Sequence, residues 1–167
     1  MEEHITDIYR LAAAIVGEAD ARDTAQETFI QAWIQLPRLR DANAFPAWLR
    51  RICVNRSRNW LRSQARRRSD SSMDAPGALV RNVADHGPDF RTAVEDRVLL
   101  DAAFERLPAD QRTLLALHYA MGYSIGEIAT VLEVPIGTAK SRLNAALIAM
   151  RQAAGTPEQL ARRGAES

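Results

Sequence analysis

The stretch SIGEIATVLEVPIGTAKSRLNAALIAM, residues 124–150, decides the fold. Ser124 followed three places on by Glu127 is a capping-box pattern, which predicts a helix opening at Ile125. Ile125, Ile128, Ala129 and Leu132 then fall on one side of a short helix. The pattern breaks at Glu133-Val134, and Pro135 starts a longer helix with Ile136, Ala139, Leu143, Ala146, Leu147 and Met150 inward. A short capped helix, a tight turn and a longer helix make a helix-turn-helix. In such a unit the second helix enters the major groove and offers its N-terminal residues to base edges. The outward residues there are Thr138, Lys140, Ser141, Arg142 and Asn144. Lys and Arg suit guanine or phosphate, and Asn suits adenine. An ordinary helical hairpin with a polar face carries the same spacing and stays open as a reading.

Working backward, Val94–Arg106 carries Val98, Leu99, Ala102 and Leu107 on one side. Pro108 suits the first turn of a helix running to about Met121, and Gly122 ends it. Residues 67–91 have little periodicity and are punctuated by Ser69, Ser71, Ser72, Pro76, Gly77, Gly87 and Pro88, which reads as a flexible linker. A structureless stretch of roughly 20 residues inside one compact domain is unusual, so two domains follow.

The N-terminal part is helical as well. A first helix covers roughly 2–16 and stops near Gly17. Asp20 is a good N-cap for the second, whose positions Ala25, Phe29, Ala32, Trp33 and Leu36 make one apolar stripe ended by Pro37. A third helix begins near Ala44, buries Phe45, Trp48, Leu49, Ile52 and Trp60, and runs into an Arg-rich end near 66. All three tryptophans read as core residues. Strand signals are nearly absent. The expected fold is therefore all-α, with a three-helix domain over 1–66, a linker over 67–93, a four-helix domain with the helix-turn-helix over 94–153, and a disordered tail over 154–167.

The net charge of +1 hides a strong pattern. Residues 1–41 hold 8 acids and 4 Arg, while residues 42–68 hold 8 Arg and no acid. Residues 69–110 return to 9 acids against 4 Arg. In the basic block Arg51, Asn55, Arg58 and Arg62 lie at i, i+4, i+7 and i+11, on one helix stripe, with Asn59 beside them. Such a stripe can track a phosphate backbone, each neutralised phosphate releasing counterions. A solvated charged face is the bland reading, but solvated helices usually mix signs for i,i+4 support. The second helix also turns Asp23, Gln26, Glu27, Ile30 and Ile34 outward. Exposed isoleucines beside acids suggest a protein-binding face, with burial against a neighbouring domain an equal competitor.

Other classes find little footing. One cysteine, Cys53, precludes an internal disulfide and a Cys-based zinc site. His4, His86 and His118 make no metal pattern. There is no nucleophile–base pair, phosphate-cradling glycine loop or carboxylate cluster, so neither an enzyme nor a cofactor is expected. No apolar run approaches the ~20 residues of a membrane span, and the acidic start is unlike a signal peptide. A soluble cytoplasmic protein without membrane insertion is expected.

The residues also resemble a known family. Asp23-Thr24-Ala25-Gln26-Glu27-Thr28-Phe29 with Ala32-Trp33 is similar to the D-x-x-Q-E-x-F-x-x-A-W stretch of extracytoplasmic-function (ECF) sigma factors, small members of the sigma-70 family. Phe45-Pro46-Ala47-Trp48-Leu49 and Ile52-Cys53-Val54-Asn55 resemble a second stretch of that family. Leu107-Pro108, Gly122-Tyr123-Ser124, Glu127-Ile128-Ala129 and the run from Val134 to Leu143 resemble its second domain. The resemblance covers about 5–66 and 94–152, with the motifs in the family's order.

That resemblance implies roles. Asp23, Gln26, Glu27, Ile30 and Ile34 would dock on the β′ clamp helices of core RNA polymerase. Arg51, Asn55, Arg58, Asn59 and Arg62, with the loop at 41–46, would read and hold open the −10 element of promoter DNA. Thr138, Lys140, Ser141, Arg142 and Asn144 would contact the −35 element, beside the β flap. The acidic linker would thread the RNA-exit region, and an anti-sigma factor would hold the protein inactive. The sequence departs from the family after Ser141-Arg142-Leu143, where Asn144, Ala145, Ala146 and Ile148 replace the usual basic residues. Cys53 stands where Ala is usual. A stand-alone helix-turn-helix regulator and a purely protein-binding module are the competing readings. No dimerisation helix supports the first, and the basic stripe disfavours the second.

Overall fold

Gly17 sets the first corner of the chain. In the computed structural model, which describes residues 2–70 and 100–154, α1 (Glu2–Val16) passes into α2 (Glu18–Gln35) through this single residue. Its φ of 96° and ψ of 162° lie in a region open essentially to glycine alone. Its N–H still donates to the Ala13 carbonyl at 3.0 Å, closing the last turn of α1. Because α2 already starts at Glu18, Asp20 sits inside its first turn and is not the N-cap expected from the sequence.

The buried face of α2 consists of Ala21, Thr24, Ala25, Thr28 and Ala32. These small side chains let α1 and α3 (Phe45–Asp70) pack closely against it. Thr28 can be buried because its hydroxyl donates to the Thr24 carbonyl at 2.8 Å, leaving no stranded donor. The expected apolar stripe is thus only partly right. Ala25 and Ala32 are buried and Phe29 is half-buried, but Leu36 is exposed and Trp33 is 78% exposed. Two buried threonines rotate the true stripe, and Trp33 lies about 100° beyond Ala32.

Two short 3₁₀ turns, Leu36–Arg38 and Ala42–Ala44, carry the chain into α3, the second one capped by Asp41 Oδ1 accepting from Asn43 N–H at 2.9 Å. Leu49, Ile52, Cys53, Val54 and Leu61 of α3 are buried, with Phe45, Trp48 and Trp60 half-buried against them. Cys53 is fully buried, and that burial pushes its thiol pKa up to about 12, so it is an inert core side chain. The helix continues to Asp70, four residues into the stretch read as linker, because the arginines near its end are good helix formers. The rest of that linker and the residues from 155 onward lie outside the described residues.

The later part begins, as described, with helical residues 100–106, here α4. Leu107 is buried as expected, Ala103 is buried in place of the exposed Ala102, and Val98 and Leu99 lie outside the described residues. Pro108 caps α5 (Ala109–Leu115), which widens directly into one π-helical turn, Ala116–Ala120, closed by Met121 N–H on the Ala116 carbonyl at 3.0 Å. Gly122, at φ 71°, ends it.

α6 (Ile125–Leu132) carries the expected capping box: Ser124 Oγ accepts from the Glu127 N–H, and the Glu127 carboxylate accepts from the Ser124 N–H. At its far end Val134 N–H reaches the Ala129 carbonyl at 3.0 Å and Glu133 N–H the Thr130 carbonyl at 3.3 Å. This is a Schellman turn with a glutamate, φ 54°, in the left-handed position that glycine usually takes. α7 (Ile136–Ala154) follows, with Ala139, Leu143 and Ala146 buried. Ile136 was expected inward but is 63% exposed. Helical side chains lean toward the N-terminus, so this first residue projects past the end of the α6 contact.

The two groups of helices do not stand apart. α3 lies against α5 and α6, α1 lies against the π turn, and the buried apolar residues form one continuous cluster. Arg112 helps to join them, its guanidinium 5.2 Å from the Phe104 ring centroid and Nη2 3.5 Å from the Ile15 carbonyl in the last turn of α1. Burial lowers its pKa. Ile8, Leu11, Ile15, Leu49, Leu117 and Ile128 are essentially fully buried, each contributing about 1.5–3 kcal/mol of hydrophobic stabilisation.

Candidate nucleic-acid interface

The N-terminal half of α7 is held by its buried stripe and turns a polar face outward. Lys140, Ser141, Arg142 and Asn144 are exposed and Thr138 is half-buried. Ser141 Oγ donates to the Thr138 carbonyl at 3.0 Å, which fixes that hydroxyl against the helix. Neither Lys140 nor Arg142 has an ion-pair partner among the described residues. Cationic and amide side chains on a rigid helix, free of internal partners, can reach base edges and phosphates.

α3 presents the second expected surface in a different state. Asn55, Asn59 and Arg62 are exposed, and Arg51 and Arg58 are half-buried. The acid-free run of the sequence does not stay acid-free in space. Arg51 pairs with Glu133 from the turn between α6 and α7. Arg58 reaches Asp110 of α5, Nη2 to Oδ1 at 2.6 Å, and Arg62 Nη2 meets the same carboxylate at 2.9 Å. Partial burial pushes the Asp110 carboxyl up, but the hydrogen bond and charge of Arg58, then of Arg62, outweigh it and hold its pKa below the ordinary value. Arg56 pairs with Glu27 of α2, and Arg50 Nε with Asp7 of α1 at 2.7 Å. Arg66, Arg67 and Arg68 remain exposed without an ion pair among the described residues.

The third surface is α2. Asp23, Gln26, Glu27, Ile30 and Ile34 all face solvent. The structure adds Trp33, which the sequence reading had placed in the core. Ile30, Trp33 and Ile34 are 51%, 78% and 62% exposed, and at i, i+3 and i+4 they share one face. The signal was present in that spacing, but a tryptophan beside apolar neighbours was read as buried. An exposed apolar patch rimmed by acids marks a protein-contact surface rather than a nucleic-acid one.

A cleft of about 580 Å³ opens where the α1–α2 corner meets α4, the π turn and α7. Glu18, Asp20, Asp101 and Glu105 line it, a composition that repels phosphate, so it is no part of the nucleic-acid surface. Among the described residues no cluster of three or more His, Cys, Asp or Glu is placed to hold a metal, and no helix is long and apolar enough to cross a membrane.

The chain matches the sigma-70 region 2 family over residues 1–67 and the sigma-70 region 4 family over residues 97–150. It is 33% identical over 140 residues to the ECF RNA polymerase sigma-E factors of Salmonella typhimurium and Escherichia coli, spanning 80% of this chain and 73% of each relative. It is 37% identical over 131 residues to the RNA polymerase sigma-H factor of Pseudomonas aeruginosa, spanning 74% of this chain and 67% of that one. Among solved structures the fold is similar to the sigma factor RpoE of Bartonella quintana in complex with the anti-sigma factor NepR. That match has a TM-score of 0.63 and 23% identity over 91% of this chain and 92% of the other. It is also similar to CnrH in complex with the cytosolic domain of CnrY, with a TM-score of 0.57 and 23% identity over 89% and 80% of the two chains.

Proposed function

Because the chain belongs to the ECF sigma factors of the sigma-70 family, we propose that its three exposed surfaces divide the work of promoter-specific transcription initiation among them. The protein binds core RNA polymerase and directs it to promoter DNA. The α2 face of Asp23, Gln26, Glu27, Ile30 and Ile34, extended by Trp33, docks on the β′ clamp helices. The α3 residues Arg51, Asn55, Arg58, Asn59 and Arg62 read the −10 element. The α7 residues Thr138, Lys140, Ser141, Arg142 and Asn144 read the −35 element beside the β flap. The working units are residues 1–66 and 94–153, and the protein acts in the cytoplasm, where the polymerase is. It performs no catalysis of its own.

One observation carries this reading: a rigid α7 whose cationic side chains are exposed and unpaired, in a chain that matches regions 2 and 4 in order. The physics fits. Opening a promoter means extruding a base, which costs a few kcal/mol that contacts to the flipped base must offset. Tethering to polymerase presents two modest DNA contacts at high effective concentration. The isolated chain therefore binds duplex promoters poorly. Control by an anti-sigma factor is part of the proposal, supported by the partners that the Bartonella RpoE and CnrH structures hold.

The test is reconstitution. The full chain mixed with core polymerase should initiate transcription from a subset of promoters in its own genome. Silence from a folded chain without inhibitor would sink the reading. Gln26→Ala should weaken polymerase binding and leave DNA contacts intact.

A further inference from the structure

The second helix of the helix-turn-helix opens on a residue that its own core does not use. Ile136, the first residue of α7, is 63% exposed, and no large aliphatic side chain among the described residues is more so. Leaving an isoleucine in water forgoes the stabilisation that its burial would give. Ile136, Lys140 and Asn144 lie at i, i+4 and i+8, and all three are exposed. An aliphatic, a cationic and an amide side chain therefore share one outward stripe. Beside Ile136 stands Gly137. Its backbone is not left-handed, and a Cβ added there would meet nothing within 4 Å. The fold thus gives no reason for a glycine, which weakens a helix relative to alanine. A bare backbone at an exposed helix start instead lets a partner come close.

In the major groove each base pair shows its own pattern of donors and acceptors, and thymine adds a C5-methyl, the one methyl group on offer. Of the α7 residues already assigned to DNA, Lys140, Ser141, Arg142 and Asn144 end in charged, hydroxyl or amide groups, and Thr138 is half-buried. We propose that Ile136 reads the C5-methyl of one thymine in the upstream promoter element, with Gly137 letting the start of α7 close on the groove. This rests on α7 being the helix that reads that element. Contact with the methyl takes two apolar surfaces out of water together. Cytosine offers an amino donor and no methyl, which leaves the isoleucine against a polar edge, so the contact discriminates. Lys140 and Asn144, about one and two turns further along the stripe, fall beside neighbouring positions. Apolar and polar readout then lie along a single helix edge.

The test uses the holoenzyme formed from the full chain and core polymerase. Its preferred upstream element is first found by selection from randomised promoter DNA. Each thymine in that element is then replaced, one at a time, by uracil, which pairs identically and lacks only the methyl. One replacement should weaken holoenzyme binding about fourfold, the worth of one buried methyl group. With Ile136→Ala the same replacement should make no difference, and selection should no longer favour thymine at that position. Gly137→Ala should weaken promoter binding while raising the melting temperature of the free chain. An element without a methyl-sensitive thymine overturns the proposal, and so does sensitivity that survives Ile136→Ala. Uniformly weaker binding of Ile136→Ala to every sequence, with the methyl effect intact, also overturns it and makes the isoleucine a protein contact. Unchanged promoter binding by Gly137→Ala overturns the role given to that glycine. Failure of the wider assignment shows differently, because Arg142→Ala then leaves the selected element unchanged.

Discussion

The Glu127 carboxylate accepts the Ser124 backbone N–H at 2.8 Å while the Glu127 N–H donates to Ser124 Oγ at 3.3 Å. These reciprocal bonds fix where α6 starts and hence where the helix-turn-helix is aimed. Ser124→Ala removes the cap and should cost about 1 kcal/mol, a Tm drop of roughly 3 °C by calorimetry.

The same pair makes a pH prediction. The Ser124 side-chain bond, then its backbone bond, holds the Glu127 pKa below the ordinary glutamate value. A depressed carboxyl stabilises the fold above its unfolded pKa and loses that contribution as pH falls through the folded one. Thermal melts from pH 7 to pH 3 should therefore fall more steeply for the native chain than for Glu127→Gln. Parallel curves would refute the coupling.

Trp33 offers a clean separation of folding from function. Being largely exposed, it should emit at long wavelength and be quenched by iodide, unlike the half-buried Trp48 and Trp60. Trp33→Ala should leave urea stability within about 0.5 kcal/mol. Its affinity for core polymerase should drop by about 2 kcal/mol or more, as for an aromatic anchor at an interface centre.

Gly17 tests the corner between α1 and α2. A Cβ there would meet nothing within 4 Å, so any penalty is purely one of backbone conformation. Gly17→Ala should lower urea stability by about 1–3 kcal/mol with no loss of side-chain packing. A neutral result would mean that the corner relaxes freely.

On α7, two neighbours should behave differently. Arg142→Ala should relax sequence preference at the upstream element by about 1–3 kcal/mol if it reads a base. Lys140→Ala should weaken binding to all sequences alike and lower the slope of log affinity against log salt by about 0.9, as for one lost phosphate contact. Promoter selection and salt titration of the polymerase holoenzyme distinguish the two.

Much of this was legible in the residues themselves. Ser124, Glu127, Pro135 and the Ala139-Leu143-Ala146 stripe define the helix-turn-helix by local chemistry alone, and local chemistry is what a sequence displays directly. Trp33, Ile136 and Ala102 were misplaced because burial depends on what lies opposite a helix face. The Thr28 hydroxyl, satisfied by the Thr24 carbonyl within its own helix, lets a polar residue sit where an apolar stripe was sought. The pairing of Arg51 with Glu133 spans 82 positions, and that of Arg58 with Asp110 spans 52. No window along the chain reveals such partners, so a stretch that is acid-free in sequence was read as unneutralised in space.

The π turn at Ala116–Ala120 determines how α6 and α7 are oriented. A π turn holds one residue more than the α-helical turn it replaces, and each residue advances a helix by about 100°. The insertion therefore sets the azimuth at which everything after Met121 leaves α5. Deleting one residue here would regularise the helix and swing Ser124 and the recognition helix a quarter-turn or more around its axis. The widened turn works as a rotational offset, setting the compass bearing at which Ala139, Leu143 and Ala146 of α7 meet the core.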